Sequence, residues 1–284
     1  MGAADGSIFR RQRVRAGNVS VPYLQGGYDG DIEPVVYLHG LGGAGKWEAY
    51  HMAMGTVALT YAPQLPGWRD SRPPAGMGSV QDYAAFMLTF FDAVGLDTVT
   101  LVGHSIGGWI ALHMAVAYPD RIARLILADP MGIAVPTVPP VNLGTMDEET
   151  FATAVFGKLG LIATAQAYGF GAEWENVRQG PEFERQWKGR EFVVNLVQGP
   201  CSDPELTRRV PSIEAETLLI WGRLDGLVPL PHGEALRAAL SHARLEVIDR
   251  CGHLPMVEKP ETFHRLLRNF LVGAEEAIPD VVTL

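Results

Sequence analysis

Cysteine is scarce. The 284 residues include two, Cys201 and Cys251, too few for a disulfide framework, so a reducing, cytoplasmic setting is the default expectation. Long hydrophobic runs are missing too: nothing approaches the roughly 18 consecutive apolar residues of a membrane span. The opening stretch, MGAADGSIFRRQRVR, has no apolar run ahead of a cleavage site, so no secretory signal is expected. Positive charge is in the minority. Against 32 Asp and Glu stand 23 Lys and Arg, a net charge of −9 that repels phosphate backbones and argues against a nucleic-acid partner. The one basic cluster, Arg10, Arg11, Arg13 and Arg15, reads as a solvated N-terminal extension. Charged residues, at 19%, are too few for a disordered chain.

What is present is apolar material, 47% of the chain, enough for one large core with an insertion or for two domains. Residues 35–39 (VVYLH), 56–61 (TVALTY), 98–102 (TVTLV), 125–128, 217–221 (TLLIW) and 245–248 read as buried strands. Between them, Val80, Tyr83, Ala84, Met87, Leu88, Phe91 and Val94 recur at helical spacing, stopped by Gly95. Residues 106–118 form a helical pattern that is apolar nearly all round, which predicts a sandwiched helix. Phe263, Leu266, Leu267, Phe270 and Leu271 mark one face of a closing helix. Strands alternating with helices predict an α/β fold, a mostly parallel sheet covered on both faces. The alternation breaks over 131–211, which reads as a helical lid inserted between two parts of the core, 1–130 and 212–284.

The loop HGLGGAGKW invites three readings. Gly40, Gly42 and Gly45 spell G-x-G-x-x-G, and Gly40 through Lys46 spell G-x-x-x-x-G-K. The dinucleotide reading lacks an acid at the end of the next strand. The phosphate-loop reading has Trp47 where Ser or Thr must hold magnesium. The third reading, an oxyanion loop led by His39-Gly40, lacks nothing.

Gly103-His104-Ser105-Ile106-Gly107 carries the sharpest signal, a G-x-S-x-G between a predicted strand and a predicted helix. A serine on so tight a turn leaves no room for side chains two residues away on either side, and glycine occupies both places. The Ile106 N–H then faces the space in front of the hydroxyl. A serine needs a base, and the base an orienting acid. Asp225 and His253 each follow a predicted strand, and the order Ser105, Asp225, His253 suits a Ser-Asp-His triad.

With these residues the chain resembles the α/β-hydrolase superfamily, in the branch whose helical cap follows the sixth strand. The likeness runs from His39 to about Leu271. Tyr118-Pro119-Asp120-Arg121-Ile122 resembles the segment after the nucleophile helix, and Gly252-His253 with Glu258-Lys259-Pro260 resembles the histidine loop. The resemblance implies Ser105 as nucleophile, His253 as general base, Asp225 as orienting acid and the N–H groups of Leu41 and Ile106 as oxyanion hole. It implies no metal or organic cofactor. Gln64 and Arg69 depart from the family's D-x-P-G-x-G-x-S stretch, which alters pocket shape more than chemistry.

Asp129, at the end of the strand 125–128, is a rival for the orienting acid. His39 is expected to shape the oxyanion loop and His104 to pack or bond behind the nucleophile. Trp109, Met131 and Trp187 are candidate pocket residues, alongside Trp174 in the lid. The expected activity is hydrolysis of small, largely apolar esters through an acyl-enzyme. A carbon–carbon hydrolase of aromatic ring-cleavage products is the alternative, although its members usually carry Asn before the nucleophile and Trp after the histidine, where this chain has His104 and Leu254. That chemistry needs a cation for the substrate carboxylate. Arg178, Arg185 and Arg190 lie among glutamates in the lid, a mixture that reads as a solvated helix face. A non-enzymatic reading, a binder of apolar ligands on the same fold, also stands. The expected partner is a small-molecule ester, and a homodimer is left open.

Overall fold

The computed structural model describes residues 9–68, 74–138, 141–156, 181–273 and 281–283. Nine strands form one sheet: β1 (Arg10–Ala16), β2 (Val19–Gly26), β3 (Val35–Leu38), β4 (Thr60–Pro63), β5 (Val99–His104), β6 (Ile122–Ala128), β7 (Glu216–Gly222), β8 (Ala243–Ile248) and β9 (Val281–Thr283). Their order is β1-β2-β4-β3-β5-β6-β7-β8-β9. Strands β3 to β8 pair in parallel, while β1, β2 and β9 join antiparallel at the two edges.

The helices are α1 (Ala49–Gly55), α2 (Val80–Val94), α3 (Ile106–Ala117), α4 (Pro181–Val197), α5 (Pro204–Arg209), α6 (Pro231–Ala239), α7 (Pro255–Glu258) and α8 (Pro260–Val272). Helix α2 packs with α3 and α1 with α8, one helical layer on each face of the sheet. Helix α2 starts where Ser79 Oγ accepts from the Asp82 N–H and Asp82 accepts from the Ser79 N–H, a reciprocal cap. It stops at Gly95, whose φ of 75° is left-handed. Strand β5, at the middle of the sheet, is buried along its whole length, and α3 behind it is buried from Ile106 to Ala115. That is the consequence of an apolar pattern without a polar face.

Three expectations change. Arg10, Arg11, Arg13 and Arg15 are not an extension but belong to the edge strand β1, paired with β2 through Val14↔Val21 and Ala16↔Val19. Strand β1 alternates side to side, so Arg11, Arg13 and Arg15 face solvent while Val14 and Ala16 turn inward. The strand expected at 56–61 begins only at Thr60, because α1 occupies the preceding residues and Thr56 closes it with an N–H to Met52 O. Strand β9 was not expected. Between β6 and β7 the described residues hold helical segments, 148–156, α4 and α5, and a single isolated bridge, Gly132↔Ser202. Among the described residues no helix is long and apolar enough to cross a membrane.

Candidate active site

Ser105 sits between β5 and α3 with φ 56° and ψ −120°, a conformation that costs a non-glycine residue on the order of 1–3 kcal/mol. The flanking glycines permit it. A Cβ on Gly103 would lie 2.6 Å from Gly107 O, and one on Gly107 would lie 2.2 Å from Leu38 O on β3. The turn is fixed by Ser105 N–H to Ala128 O at 3.1 Å, and Ser105 O accepts from the N–H groups of Trp109 and Met131, each at 3.1 Å.

The hydroxyl of Ser105 donates to His253 Nε2 at 2.9 Å, and His253 Nδ1–H donates to Asp225 Oδ2 at 2.7 Å. The other oxygen of Asp225 accepts from the N–H groups of Leu227 and Val228 at 2.8 and 2.9 Å. Asp225, not Asp129, therefore faces His253 Nδ1. Ser105 and His253 are fully buried and Asp225 nearly so. The histidine loop is clamped on three sides. Glu258 accepts from the N–H groups of Gly252 and Leu254, His104 Nε2–H donates to His253 O at 2.8 Å, and His253 N–H donates to Val155 O, between β6 and β7, at 2.7 Å. Ala154 O accepts from Gly226 N–H beside Asp225, so the segment 148–156, inserted between β6 and β7, is stitched to the loops of both Asp225 and His253. Burial pushes the Glu258 carboxyl up to about 7 and the His104 imidazole down to about 3, so His104 is neutral at working pH.

The loop after β3 is held by His39. Its Nδ1–H donates to Gly40 O at 2.8 Å and its Nε2 accepts from Leu65 N–H at 3.0 Å, which fixes one neutral tautomer. Gln64, the departure from the family stretch, accepts from Ala44 N–H at 3.2 Å and so braces the same loop. Arg69 lies outside the described residues. Among the described residues no acceptor takes the N–H of Leu41 or of Ile106, the first residue of α3. Both groups are available to a developing oxyanion.

Helix α4 covers this loop. A Cβ on Gly189 would fall 1.9 Å from Leu41 O and 2.2 Å from Trp68 Cη2, so the helix backbone rests directly on the loop. Arg185 of α4 turns inward, not to solvent. It pairs with Glu48 at 2.6 Å and, with Gly40, Gly42, Gly43, His104 and Gln186, borders a cavity of about 20 Å³. Arg190 instead ties α4 to the preceding loop, reaching the carbonyls of Leu143, Gly144 and Met146. Arg178 and Trp174 lie outside the described residues. A second cavity of about 670 Å³ opens between the β1–β2 hairpin and the glycine loop, with Arg11, Arg13, Lys46 and Arg185 on its wall.

The candidate pocket residues lie elsewhere. Trp109 and Met131 are buried under the elbow, and Trp187 packs on Phe151 and Phe183 under Arg190. None of the three borders either of these cavities. Sequence reasoning missed Gly189, named Glu258 without giving its carboxyl a role, and read Arg185 as part of a solvated helix face. Glu258 stood in the quoted histidine loop, but nothing local said that its carboxyl folds back onto Gly252 and Leu254.

The model of the alpha/beta hydrolase fold family matches residues 33–260. Two curated relatives, the 2-hydroxy-6-oxo-6-phenylhexa-2,4-dienoate hydrolases of Comamonas testosteroni and Burkholderia cepacia, are 31% and 32% identical. Their alignments span 85% and 86% of this chain and 88% and 89% of theirs. Among solved structures, a membrane phospholipase A described as a bacterial virulence factor superposes with a TM-score of 0.73 at 25% identity, over 95% of this chain and 87% of that one. The relatives favour hydrolysis, and within it the carbon–carbon alternative over the small-ester expectation.

Proposed function

The chain belongs to the alpha/beta hydrolase fold family, and on that premise we propose that it is a serine-triad hydrolase of ring-fission acids of the 2-hydroxy-6-oxo-dienoate type, cleaved at a carbon–carbon bond. Arg185 is the cation assigned to the substrate carboxylate. Ion-paired with Glu48, it lies on the wall of a water-sized cavity beside Gly40 and His104, and an apolar ester would need no cation there. The 31–32% identity to dienoate hydrolases over most of the chain supports the same reading.

The chemistry follows from the geometry. His253 Nε2 takes the Ser105 proton as Oγ attacks the ketone carbonyl, and Asp225 stabilises the imidazolium. The oxyanion forms against the N–H groups of Leu41 and Ile106. A carbon leaving group needs an electron sink. If the dienol first becomes a ketone, its hydroxyl proton moving to the carbon next to the scissile bond, that carbon departs as a dienolate conjugated with the new carbonyl and takes up the proton held by His253, which is again a base. Water, deprotonated by His253, then releases the acyl group from Ser105.

A second reading, hydrolysis of small esters, is favoured by His104 and Leu254, which stand where carbon–carbon hydrolases usually carry Asn and Trp. Parallel assays separate the two. Purified protein is given 2-hydroxy-6-oxo-6-phenylhexa-2,4-dienoate and p-nitrophenyl butyrate. The proposal expects kcat/KM for the dienoate to exceed that for the ester by about tenfold or more. Efficient ester turnover with trace dienoate activity would transfer the assignment to the ester hydrolase.

A further inference from the structure

Asp129 is a second buried carboxyl behind the triad, and the mechanism above does not use it. It directly follows β6 in a left-handed conformation, φ 45°, and has no exposed surface. One oxygen accepts from Gly222 N–H at 3.0 Å. The other, Oδ2, has no hydrogen-bond donor among the described residues. Asp129, Asp225 and His253 nonetheless bring one oxygen or nitrogen atom each within 4.8 Å of one another. That spacing would suit a cation, but both nitrogens of His253 are engaged, by Asp225 and by Ser105. A shared proton fits the grouping better than an ion does.

The two carboxyls are not equivalent. Asp225 receives three donors: His253 Nδ1–H and the N–H groups of Leu227 and Val228. Asp129 receives one. Two buried carboxyls this close cannot both ionise cheaply, and the proton settles on the one with fewer donors. We propose that Asp129 is a positioning residue that carries a proton at neutral pH and donates it as a hydrogen bond to the Asp225 carboxylate, forming an acid–carboxylate pair behind His253.

Such a pair gives the orphaned Oδ2 a partner. It fixes the rotamer of Asp225 through a fourth hydrogen bond. It also draws charge from Asp225, which keeps the proton on the imidazolium rather than letting it pass to the carboxylate. Of the other titratable groups facing this region, Glu258 in its ionised form raises Asp129 further, while the Cys251 thiol, pushed up by burial and the surrounding acids, adds no charge. Burial is the largest influence on Asp129 and the field of Asp225 the next, and both hold its carboxyl well above the usual range.

The inference rests on the triad reading but not on the substrate, so the test uses the rate at which a fluorophosphonate labels Ser105. Asn at 129 keeps a neutral donor toward Asp225 and an oxygen for Gly222 N–H, while Ala keeps neither. Asp129→Asn should slow labelling by less than about fivefold and Asp129→Ala by about 10²-fold, the scale of a misplaced catalytic group. Equal losses in Asn and Ala, or no loss in Ala, would overturn the proposal. A measurement on the intact protein stands beside it. With isotope-labelled aspartate, infrared spectra at pH 7 should contain the carbonyl stretch of one protonated Asp, absent from Asp129→Asn. Spectra with ionised aspartate alone would refute it even if Asp129→Ala failed to fold.

Discussion

Helix α4 lies on the oxyanion loop because residue 189 has no side chain, so Gly189→Ala tests whether that contact matters for catalysis. The new Cβ would sit 1.9 Å from Leu41 O, against an ordinary contact of 3.4–4 Å, so helix and loop must part by about 1.5 Å. Trp68 Cη2, at 2.2 Å on the other side, blocks a sideways escape. Two stability effects oppose each other. Overpacking a tight contact costs about 1–3 kcal/mol, and Ala in place of Gly in a helix returns about 1 kcal/mol. The net change is therefore modest, a destabilisation of up to about 2 kcal/mol. The effect on rate is not. Displacing Leu41 removes one oxyanion donor from position, which lowers kcat by about 10²–10³. Stopped-flow turnover alongside thermal melts reads both quantities. Gly78→Ala is the control, since a Cβ there meets nothing within 4 Å. Wild-type kcat in a folded Gly189→Ala protein would show that α4 does not position the oxyanion loop.

Other expectations follow from the same geometry. Arg185→Gln should raise KM for a dienoate by about tenfold and leave a neutral ester unaffected; equal effects on both substrates would remove its role in carboxylate binding. Asp225→Asn should lower kcat by up to ~10⁴-fold by favouring the wrong imidazole tautomer, and a loss of only a few-fold would move the acid elsewhere. The unfolded chain protonates His104 below about 6.5, while burial denies it that proton in the fold until about pH 3, so stability is lost as pH falls through that window. The slope is about 1.4 kcal/mol per pH unit for one histidine. Asp129 and Glu258, whose carboxyls are raised, tilt stability the other way. Denaturant titrations of His104→Asn at pH 7.5 and 5 should therefore show about 2 kcal/mol less acid loss than wild type, and an unchanged difference would mean that His104 takes up its proton freely in the fold.

The nucleophile turn was legible because it is a demand on the backbone. Gly103 and Gly107 are required by atoms a few residues away or on the adjacent strand, and no other residue fits. The order of Ser105, Asp225 and His253 could be read because each follows a strand with a clear apolar run. Strand β1 was hidden by its position. An edge strand with arginine on its solvent face offers charge where a buried strand offers Val and Ile. Arg185 was misread for a different reason. Local spacing placed it among glutamates, but the group that turns it inward, Glu48, lies 137 residues earlier. The protonation of Asp129 has the same character, because it depends on which carboxyl collects the donors of a loop nearly a hundred residues away.

The central claim is that Ser105, activated by His253, is the nucleophile. The direct measurement is peptide mass spectrometry of the protein after reaction with a fluorophosphonate, with Ser105→Ala alongside. The account predicts a single adduct, on Ser105, and in the folded variant no adduct together with a loss of turnover of about a millionfold. An adduct on another residue, or a fully active Ser105→Ala protein, would contradict it.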